Sequence, residues 1–216
     1  MTMPIPRRAA LSRLGLASAA IASLPFLSRQ ALAAPSIGAP APAFSAPDQD
    51  GRTHSLADYR GKVVVLEWTN HDCPFVRKHY ESGNMQQIQR LAAGKGVAWL
   101  SIASSPEGAQ GHVTPEQARA LTASREAAPA AVLLDPMSRI ARAYAATTTP
   151  HMYVIDAEGV LRYMGGIDSI PSSKVADVPK AQPLARDAML AVAEGRPVAQ
   201  PVTRNYGCAI KYAPEA

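Results

Sequence analysis

The apolar run over residues 63–68 narrows the possible folds of this chain more than any other feature. It is rich in β-branched residues, as is typical of a central strand covered on both faces. Pro74 follows closely; proline cannot continue a strand ladder but suits the first position of a helix. A buried strand that passes directly into a helix predicts a βα unit.

Further strands and helices are predicted to alternate along the chain. The helix that starts at Pro74 is expected to run to residue 93, because Gly94 and Gly96 supply a stop. The later segments read in order as strand, helix, strand, helix, hairpin and helix, over residues 97–103, 115–127, 131–134, 138–145, 152–164 and 184–193. Alternating βα units with a terminal hairpin imply an α/β fold, in which helices cover both faces of a mixed central sheet and a C-terminal β-hairpin is followed by a helix.

The first 33 residues are interpreted as an export signal peptide. Arg7 and Arg8 precede an apolar stretch over residues 14–27, and Ala31 and Ala33 have the small side chains of a cleavage site over residues 31–33. The arginine pair also allows the twin-arginine route, and an uncleaved amphipathic anchor is the alternative. The apolar stretch is short for a membrane span. We therefore expect residues 34–216 to form a single periplasmic or secreted domain, with no stable membrane span after cleavage.

The positive charge of the chain belongs mainly to this signal. The chain has 22 Lys and Arg against 17 Asp and Glu, and the first 33 residues hold 4 of the arginines and no acid, which leaves 18 basic against 17 acidic residues. A nearly neutral domain lacks the basic surface that nucleic acid requires. Nucleic acid is therefore not an expected partner.

Cys73 and Cys208 are the only cysteines in the chain. In an oxidising compartment, an even count fits an intramolecular disulfide. Cys73 directly precedes the predicted helix, so the free N–H groups and the positive end of the helix dipole would favour its thiolate. Arg77 and Lys78 in the first turn would add positive charge, whereas the carboxylate of Asp72 would oppose ionisation. These residues alone allow a reactive thiol, a structural disulfide or a metal ligand.

A second feature lies just before the predicted hairpin, at Thr149 and Pro150. A proline in this place fits a cis peptide bond, which would expose backbone groups to the residues that face it. A trans proline is the alternative. Thr149 joins Asn70, His71 and Arg77 as candidates for lining a substrate groove or tuning the thiolate.

The segments LEWTNHDCPFVRKHY and YGCAIKY, with Thr149-Pro150 ahead of the hairpin, resemble the thioredoxin-like superfamily. They are most similar to its peroxiredoxin-like branch, near the alkyl hydroperoxide reductase and thiol-specific antioxidant proteins. The resemblance covers residues 38–212 and implies a thioredoxin-like redoxin domain. Cys73 matches the first cysteine of the Cys-x-x-Cys motif, and Val76 occupies the place of the second. Peroxiredoxins have a threonine three residues before their cysteine, whereas Thr69 lies four before Cys73.

Because no second thiol is nearby in sequence, the resemblance implies that Cys208 resolves the intermediate formed at Cys73. We expect Cys73 to attack a disulfide or a peroxide, the Cys73–Cys208 disulfide to form next, and Pro150 to shape the substrate groove. The expected partner is a thiol or disulfide protein, or a peroxide, and no cofactor or metal is expected.

Two other functions remain open from the residues alone. The first is a thioredoxin-like module without catalysis, in which the Cys73–Cys208 disulfide only adds stability. The second is a copper or zinc binding or delivery protein, in which Cys73 would act with His71, His79 or His151.

Overall fold

The computed structural model describes residues 1–3 and 34–214. The charged, apolar and cleavage segments of the predicted export signal lie outside the described residues. The chain divides into two units, Met1–Ala31 and Leu32–Ala216, and everything below concerns the second.

A five-stranded mixed sheet lies at the centre of this unit, in the order β5-β4-β3-β7-β8. The strands of the described residues are β1 Ser45–Pro47, β2 Thr53–Ser55, β3 Val64–Trp68, β4 Ala98–Ala103, β5 Ala131–Leu134, β6 Thr148–Thr149, β7 His151–Ile155, β8 Leu161–Gly165 and β9 Cys208–Ala209. Strands β3, β4 and β5 are parallel, and β7 and β8 run antiparallel to their neighbours. The predicted mixed sheet and terminal hairpin are confirmed.

The helices that connect these strands begin and end close to the predicted positions, with one exception. They are α1 Pro74–Glu81, α2 Asn84–Gly94, α3 Pro115–Ser124, α4 Arg139–Ala143 and α5 Leu184–Ala193, and two 3-10 turns span Leu56–Tyr59 and Val175–Lys180. The prediction of one helix over residues 74–93 is wrong, because Gly83 adopts a left-handed conformation with φ 74° and separates α1 from α2. No helix in the described ranges is long and apolar enough to cross a bilayer.

Both faces of β3 are buried, which explains its uninterrupted apolar pattern. Val65 packs on one side with residues of α1, α2 and α5, and Leu66 packs on the other side with residues of α4. Neither side chain is exposed to solvent. Burying an aliphatic side chain of this size contributes about 1.5–3 kcal/mol, so both layers of helices are held against this strand.

The register of the central strands places two loops at one edge of the sheet. Trp68, the last residue of β3, pairs with His151, the first residue of the antiparallel strand β7. The chain that leaves β3 towards Cys73 therefore lies beside the chain that enters β7 through Thr149 and Pro150. Both segments singled out in the sequence meet at this edge.

Candidate active site

Cys73 lies at the N-terminus of α1, as predicted, and has no exposed surface. Its carbonyl accepts the N–H groups of Val76 and Arg77 at 3.0 and 2.9 Å, which starts the helix. Asn70 shapes the preceding turn, because its side-chain oxygen accepts the N–H of Asp72 at 2.9 Å and its carbonyl accepts the N–H of Cys73 at 3.1 Å. The turn thus fixes the thiol at the positive end of the helix dipole.

Thr149 connects the two cysteines through its backbone and side chain. The Cys73 thiol donates a hydrogen bond to the Thr149 carbonyl at 3.1 Å, and the Thr149 hydroxyl donates to the Cys208 carbonyl at 3.4 Å. Thr149 also pairs with Cys208 in the short antiparallel ladder between β6 and β9. The Thr149–Pro150 bond is cis, as predicted.

Cys208 is a free, partly exposed thiol that packs on the same hydrophobic cluster as Cys73, on the other side of Thr149. Burial, a hydrogen bond to Cys73 and the negative charge of a Cys73 thiolate raise the pKa of Cys208 to about 12, and Lys211 opposes this rise. A Cys73 thiolate would therefore be faced by a protonated Cys208 that donates to it. The structure brings the two predicted site cysteines together, both in the thiol form.

Gly207 permits the close approach of β9 to this site. Its φ is +133°, and a Cβ atom added there would lie 1.9 Å from the Thr149 carbonyl oxygen. That oxygen is also the acceptor for the Cys73 thiol. A side chain at position 207 would therefore displace either the Cys208 segment or the acceptor of Cys73.

The chain before Cys208 is fixed along its length by side-chain hydrogen bonds. The amide group of Asn205 donates to the hydroxyl oxygens of Thr147 and Thr148 at 2.8 and 2.7 Å. The hydroxyl groups of Tyr163 and Thr203 lie 2.6 Å apart. These contacts hold the tail across the edge of the sheet and explain how a residue so distant in sequence reaches Cys73.

A buried ionic cluster, made of Lys78, His79, Asp168 and Tyr206, joins α1 to this tail. Asp168 Oδ2 lies 3.3 Å from Lys78 Nζ and 3.6 Å from His79 Nε2, and the Tyr206 hydroxyl donates to Asp168 Oδ1. The Lys78 ammonium also lies 5.0 Å from the centre of the Tyr206 ring. Lys78, which was expected to add positive charge at the thiol, thus has Asp168 as its counter-ion.

The remaining predicted tuning residues have different surroundings. Arg77 pairs with Glu81 at 3.7 Å on the exposed side of α1. His71 Nε2 lies 3.4 Å from Asp72, and Arg125 donates to the His71 carbonyl at 3.1 Å. Asn70, His71 and Arg125 are among the residues that line a cavity of about 50 Å³, which Cys73 does not line. Their influence on the thiolate remains a prediction.

The histidines considered as metal ligands make other contacts. His79 faces Tyr206 and Asn84 with its two ring nitrogens, at 3.4 and 2.9 Å. His151 packs on Tyr153, with the ring centres 4.6 Å apart. Within residues 1–3 and 34–214, no three His, Cys, Asp or Glu side chains converge in a way that would hold a metal ion.

We expect the buried histidines His79 and His151 to make the protein less stable at acidic pH. Burial is the main cause that lowers the pKa of each to about 4; for His79, Asp168 acts in the opposite direction and Lys78 adds to the lowering. An unfolded histidine titrates near 6.5, so the unfolded chain binds more protons between about pH 6.5 and 4. The stability they contribute is complete above that range and is lost as the pH falls through it.

We expect the free energy of unfolding in urea to be lower at pH 5 than at pH 7 by about 1–2 kcal/mol for each of these histidines. His151→Leu, which removes one of the two groups, should reduce that difference by about half. Equal stability of the unsubstituted protein at the two pH values would contradict the prediction.

Glu67 is a buried polar residue that the apolar pattern of its strand conceals. Its carboxylate accepts hydrogen bonds from Trp99 and Ser101 at 2.8 Å each, from Tyr80 at 2.9 Å and from Gln89 at 3.3 Å. A lone acid in an apolar strand is the signal that would have found it, because a buried carboxylate needs such partners. Glu67 anchors the sheet directly behind α1.

Residues 37–164 match the AhpC/TSA family. The chain belongs to the AhpC/TSA family. The matched segment contains Cys73, Thr149 and Pro150 but ends before Cys208. The contact between the cysteines therefore depends on a tail outside the matched segment.

Several individual proteins are similar to this chain. The thiol-disulfide oxidoreductase ResA of Geobacillus thermodenitrificans (strain NG80-2) is 25% identical over 133 residues, which are 58% of this chain and 67% of that protein. A hypothetical protein of Sinorhizobium meliloti 1021 has a TM-score of 0.70 at 26% identity, over 83% of this chain and 96% of that chain. A structure described as a thiol:disulfide interchange protein of Chlorobium tepidum has a TM-score of 0.50 at 24% identity, over 61% and 85%. The fold is thioredoxin-like.

Proposed function

We propose that this protein is a thiol-disulfide oxidoreductase in which Cys73 and Cys208 alternate between the dithiol and a disulfide. The observation that carries the proposal is that Thr149 brings Cys208 beside a buried Cys73 at a helix N-terminus, because it accepts from the Cys73 thiol and pairs with Cys208. Similarity to ResA, a thiol-disulfide oxidoreductase, supports it. Helix N-termini favour thiolates, which are the reactive form of cysteine.

The oxidising half of the reaction begins at Cys73. Its thiolate attacks one sulfur of a disulfide and releases the other as a thiolate, or attacks a peroxide oxygen and forms a sulfenic acid with release of an alcohol or water. Cys208 then loses its proton and attacks the Cys73 sulfur. This step expels the second thiolate, or hydroxide that leaves as water, and forms the Cys73–Cys208 disulfide.

Cys73→Ser is expected to abolish thiol-dependent turnover of disulfide and peroxide substrates, by at least about 100-fold, because a serine hydroxyl cannot replace the thiolate nucleophile. Cys208→Ser should instead stop the cycle after one turnover and leave an adduct on Cys73. Both effects are measured by following thiol consumption and by mass spectrometry of the protein. Unchanged turnover in Cys73→Ser would falsify the proposed function.

A purely structural disulfide is the second candidate, and its reduction potential separates it from a catalytic one. A potential below about −300 mV is typical of structural disulfides, and a higher one indicates a labile, functional bond. Partial exposure of Cys208 favours the labile bond, which equilibration with glutathione buffers of known potential would measure.

We place this activity in the periplasm or outside the cell, with a thiol or disulfide protein or a peroxide as the reaction partner. The charged, apolar and small-residue segments of residues 1–33 support export. A disulfide cycle also suits an oxidising compartment. Cell fractionation with N-terminal sequencing of the mature protein tests this placement, and a cytoplasmic protein that retains residues 1–33 would contradict it.

A further inference from the structure

Helix α3 covers the sheet with small side chains and leaves a cavity beneath it. Among the ten residues of α3, all within the described part of the chain, only Ala118 is buried. The strand β4 also contributes small residues to this cavity, Ser101 and Ala103. Protein interiors are normally close-packed, so larger aliphatic side chains would be expected to fill such a gap. Here a cavity of about 50 Å³ remains.

The walls of this cavity are mainly apolar. Val113, Leu121 and Val132 line it together with Ala118. One water molecule needs roughly 10–15 Å³ of such space, so the cavity has room for about three to five groups of that size. An aliphatic group of three or four carbons matches this space. Its transfer from water to an apolar cavity would be favourable.

Arg125 lies at the partly exposed rim of the cavity. Its guanidinium group lies 4.8 Å from the centre of the Tyr80 ring and donates to the His71 carbonyl at 3.1 Å. Arg77 and Arg90 pair with carboxylates, whereas no carboxylate of the described residues pairs with Arg125. A guanidinium group has five N–H donors, so most of them are available to a ligand. The rim therefore carries a positioned charge without a counter-ion.

His71 supplies a second polar group at the same rim. Its Nε2 lies 3.4 Å from Asp72, and its Nδ1 is buried without a hydrogen-bond partner among the described residues. Such an atom is unusual, because buried polar groups nearly always find partners. In the imidazolium form both ring nitrogens donate, so Nδ1 can donate to a bound anion while Nε2 donates to Asp72.

The inner end of the cavity would repel an anion. Ser101 is buried there, and it donates to the carboxylate of Glu67 at 2.8 Å. Tyr80, which also lines the cavity, donates to the same carboxylate at 2.9 Å. A second negative charge close to Glu67 would be unfavourable. An anionic ligand would therefore keep its charge at the rim and direct its apolar part inward.

We propose that this cavity binds a short aliphatic carboxylate. Arg125 and His71 hold the carboxylate group, and an aliphatic group of three or four carbons lies against Ala118 and Val132. The binding involves no covalent step and does not depend on the two cysteines, so it goes beyond the proposed redox function. His71 precedes Cys73 by two residues, so the ligand lies beside the turn that carries this thiol.

A titration of the isotope-labelled protein with isobutyrate, followed by NMR, tests the proposal. Isobutyrate has a carboxylate and a three-carbon branched group, and we expect saturable binding of one molecule. Isobutanol lacks the charge and acetate lacks two of the carbons, so each should bind at least about tenfold more weakly. Absence of isobutyrate binding, or equal affinity for isobutyrate and isobutanol, would overturn the proposal.

Ala118→Leu fills the cavity and should weaken isobutyrate binding at least about tenfold, because the added carbons occupy the space of the ligand. Ala120→Leu is the matched control, since Ala120 is exposed on the same helix. It should leave the affinity within about twofold. An affinity of Ala118→Leu equal to that of Ala120→Leu would place the ligand outside this cavity.

Arg125→Gln tests the charge at the rim. It should weaken isobutyrate binding at least about tenfold, because a charge-assisted hydrogen bond is lost. Arg90→Gln removes an exposed arginine that pairs with Glu126 and should leave the affinity within about twofold. Equal affinities of these two variants would contradict recognition of the carboxylate by Arg125.

A measurement on the unsubstituted protein keeps the test decisive if Ala118→Leu does not fold. We expect nuclear Overhauser effects between the methyl protons of bound isobutyrate and the methyl groups of Ala118 and Val132. Effects to other methyl groups alone would show that isobutyrate binds elsewhere and would overturn the proposal.

Discussion

Gly207→Ala is expected to separate Cys208 from Cys73. The added Cβ would lie 1.9 Å from the Thr149 carbonyl oxygen, and backbone cannot yield as a flexible side chain would. We expect the effective concentration of one thiol at the other to fall at least tenfold, which makes the disulfide about 30 mV easier to reduce. Equilibration with glutathione buffers measures the change.

Gly195→Ala is the matched control for this substitution. Gly195 also has a left-handed conformation, with φ +67°, but a Cβ atom there would meet nothing within 4 Å. Its cost should be the backbone penalty of about 1–2 kcal/mol in stability, with no change in reduction potential. Equal potentials for the two variants would show that the close approach at Gly207 does not hold the cysteines together.

Asp168→Leu is expected to cost about 3–5 kcal/mol in the free energy of unfolding, because it leaves the ammonium of Lys78 buried without its counter-ion. Lys78 has no exposed surface and Asp168 is 5% exposed, so water cannot take the place of the missing partner. Tyr206, which precedes Cys208 by two residues, loses its acceptor as well. Urea unfolding of the reduced protein measures the loss.

The double variant Lys78→Met with Asp168→Leu should recover most of this loss, since an apolar pair often replaces a buried ion pair without cost. Glu81→Leu on the same helix is the surface control. It removes the exposed partner of Arg77 and should cost less than about 1 kcal/mol. A cost for Asp168→Leu no larger than that of Glu81→Leu would mean that the ionic cluster does not stabilise the fold.

Local patterns predicted the elements that end at clear signals. Strand β5 and helix α5 have the predicted bounds, Ala131–Leu134 and Leu184–Ala193. Helix α3 begins with a capping box, in which Thr114 N–H donates to Gln117 Oε1 at 2.8 Å and Gln117 N–H donates to Thr114 Oγ1 at 3.3 Å. Such signals act over one or two turns and are therefore visible in sequence.

Other features depend on neighbours that the local sequence does not reveal. The local sequence predicts a continuous helix through Gly83, because a helix tolerates a single glycine; the positive φ that ends α1 is visible only in the structure. The sequence of β3 does not indicate that Glu67 is buried with hydrogen-bond partners, because its donors come from α1, α2 and β4. Lys78 was expected near the thiol, and its counter-ion Asp168 comes from the chain after β8.

The sequence by itself determined the α/β order of elements and the helix that starts behind Cys73, because strand hydrophobicity and proline geometry act locally. It allowed a cis or a trans bond before Pro150, and the structure has the cis bond. The tertiary structure decided which residues meet Cys73. Sheet register sets Thr149 beside it, and Gly207 lets the Cys208 segment pack against Thr149. The ionic cluster of Lys78, His79, Asp168 and Tyr206 holds that segment in place, since buried charges must find partners wherever the fold brings them. The unequal exposure of the two cysteines arises from the same packing.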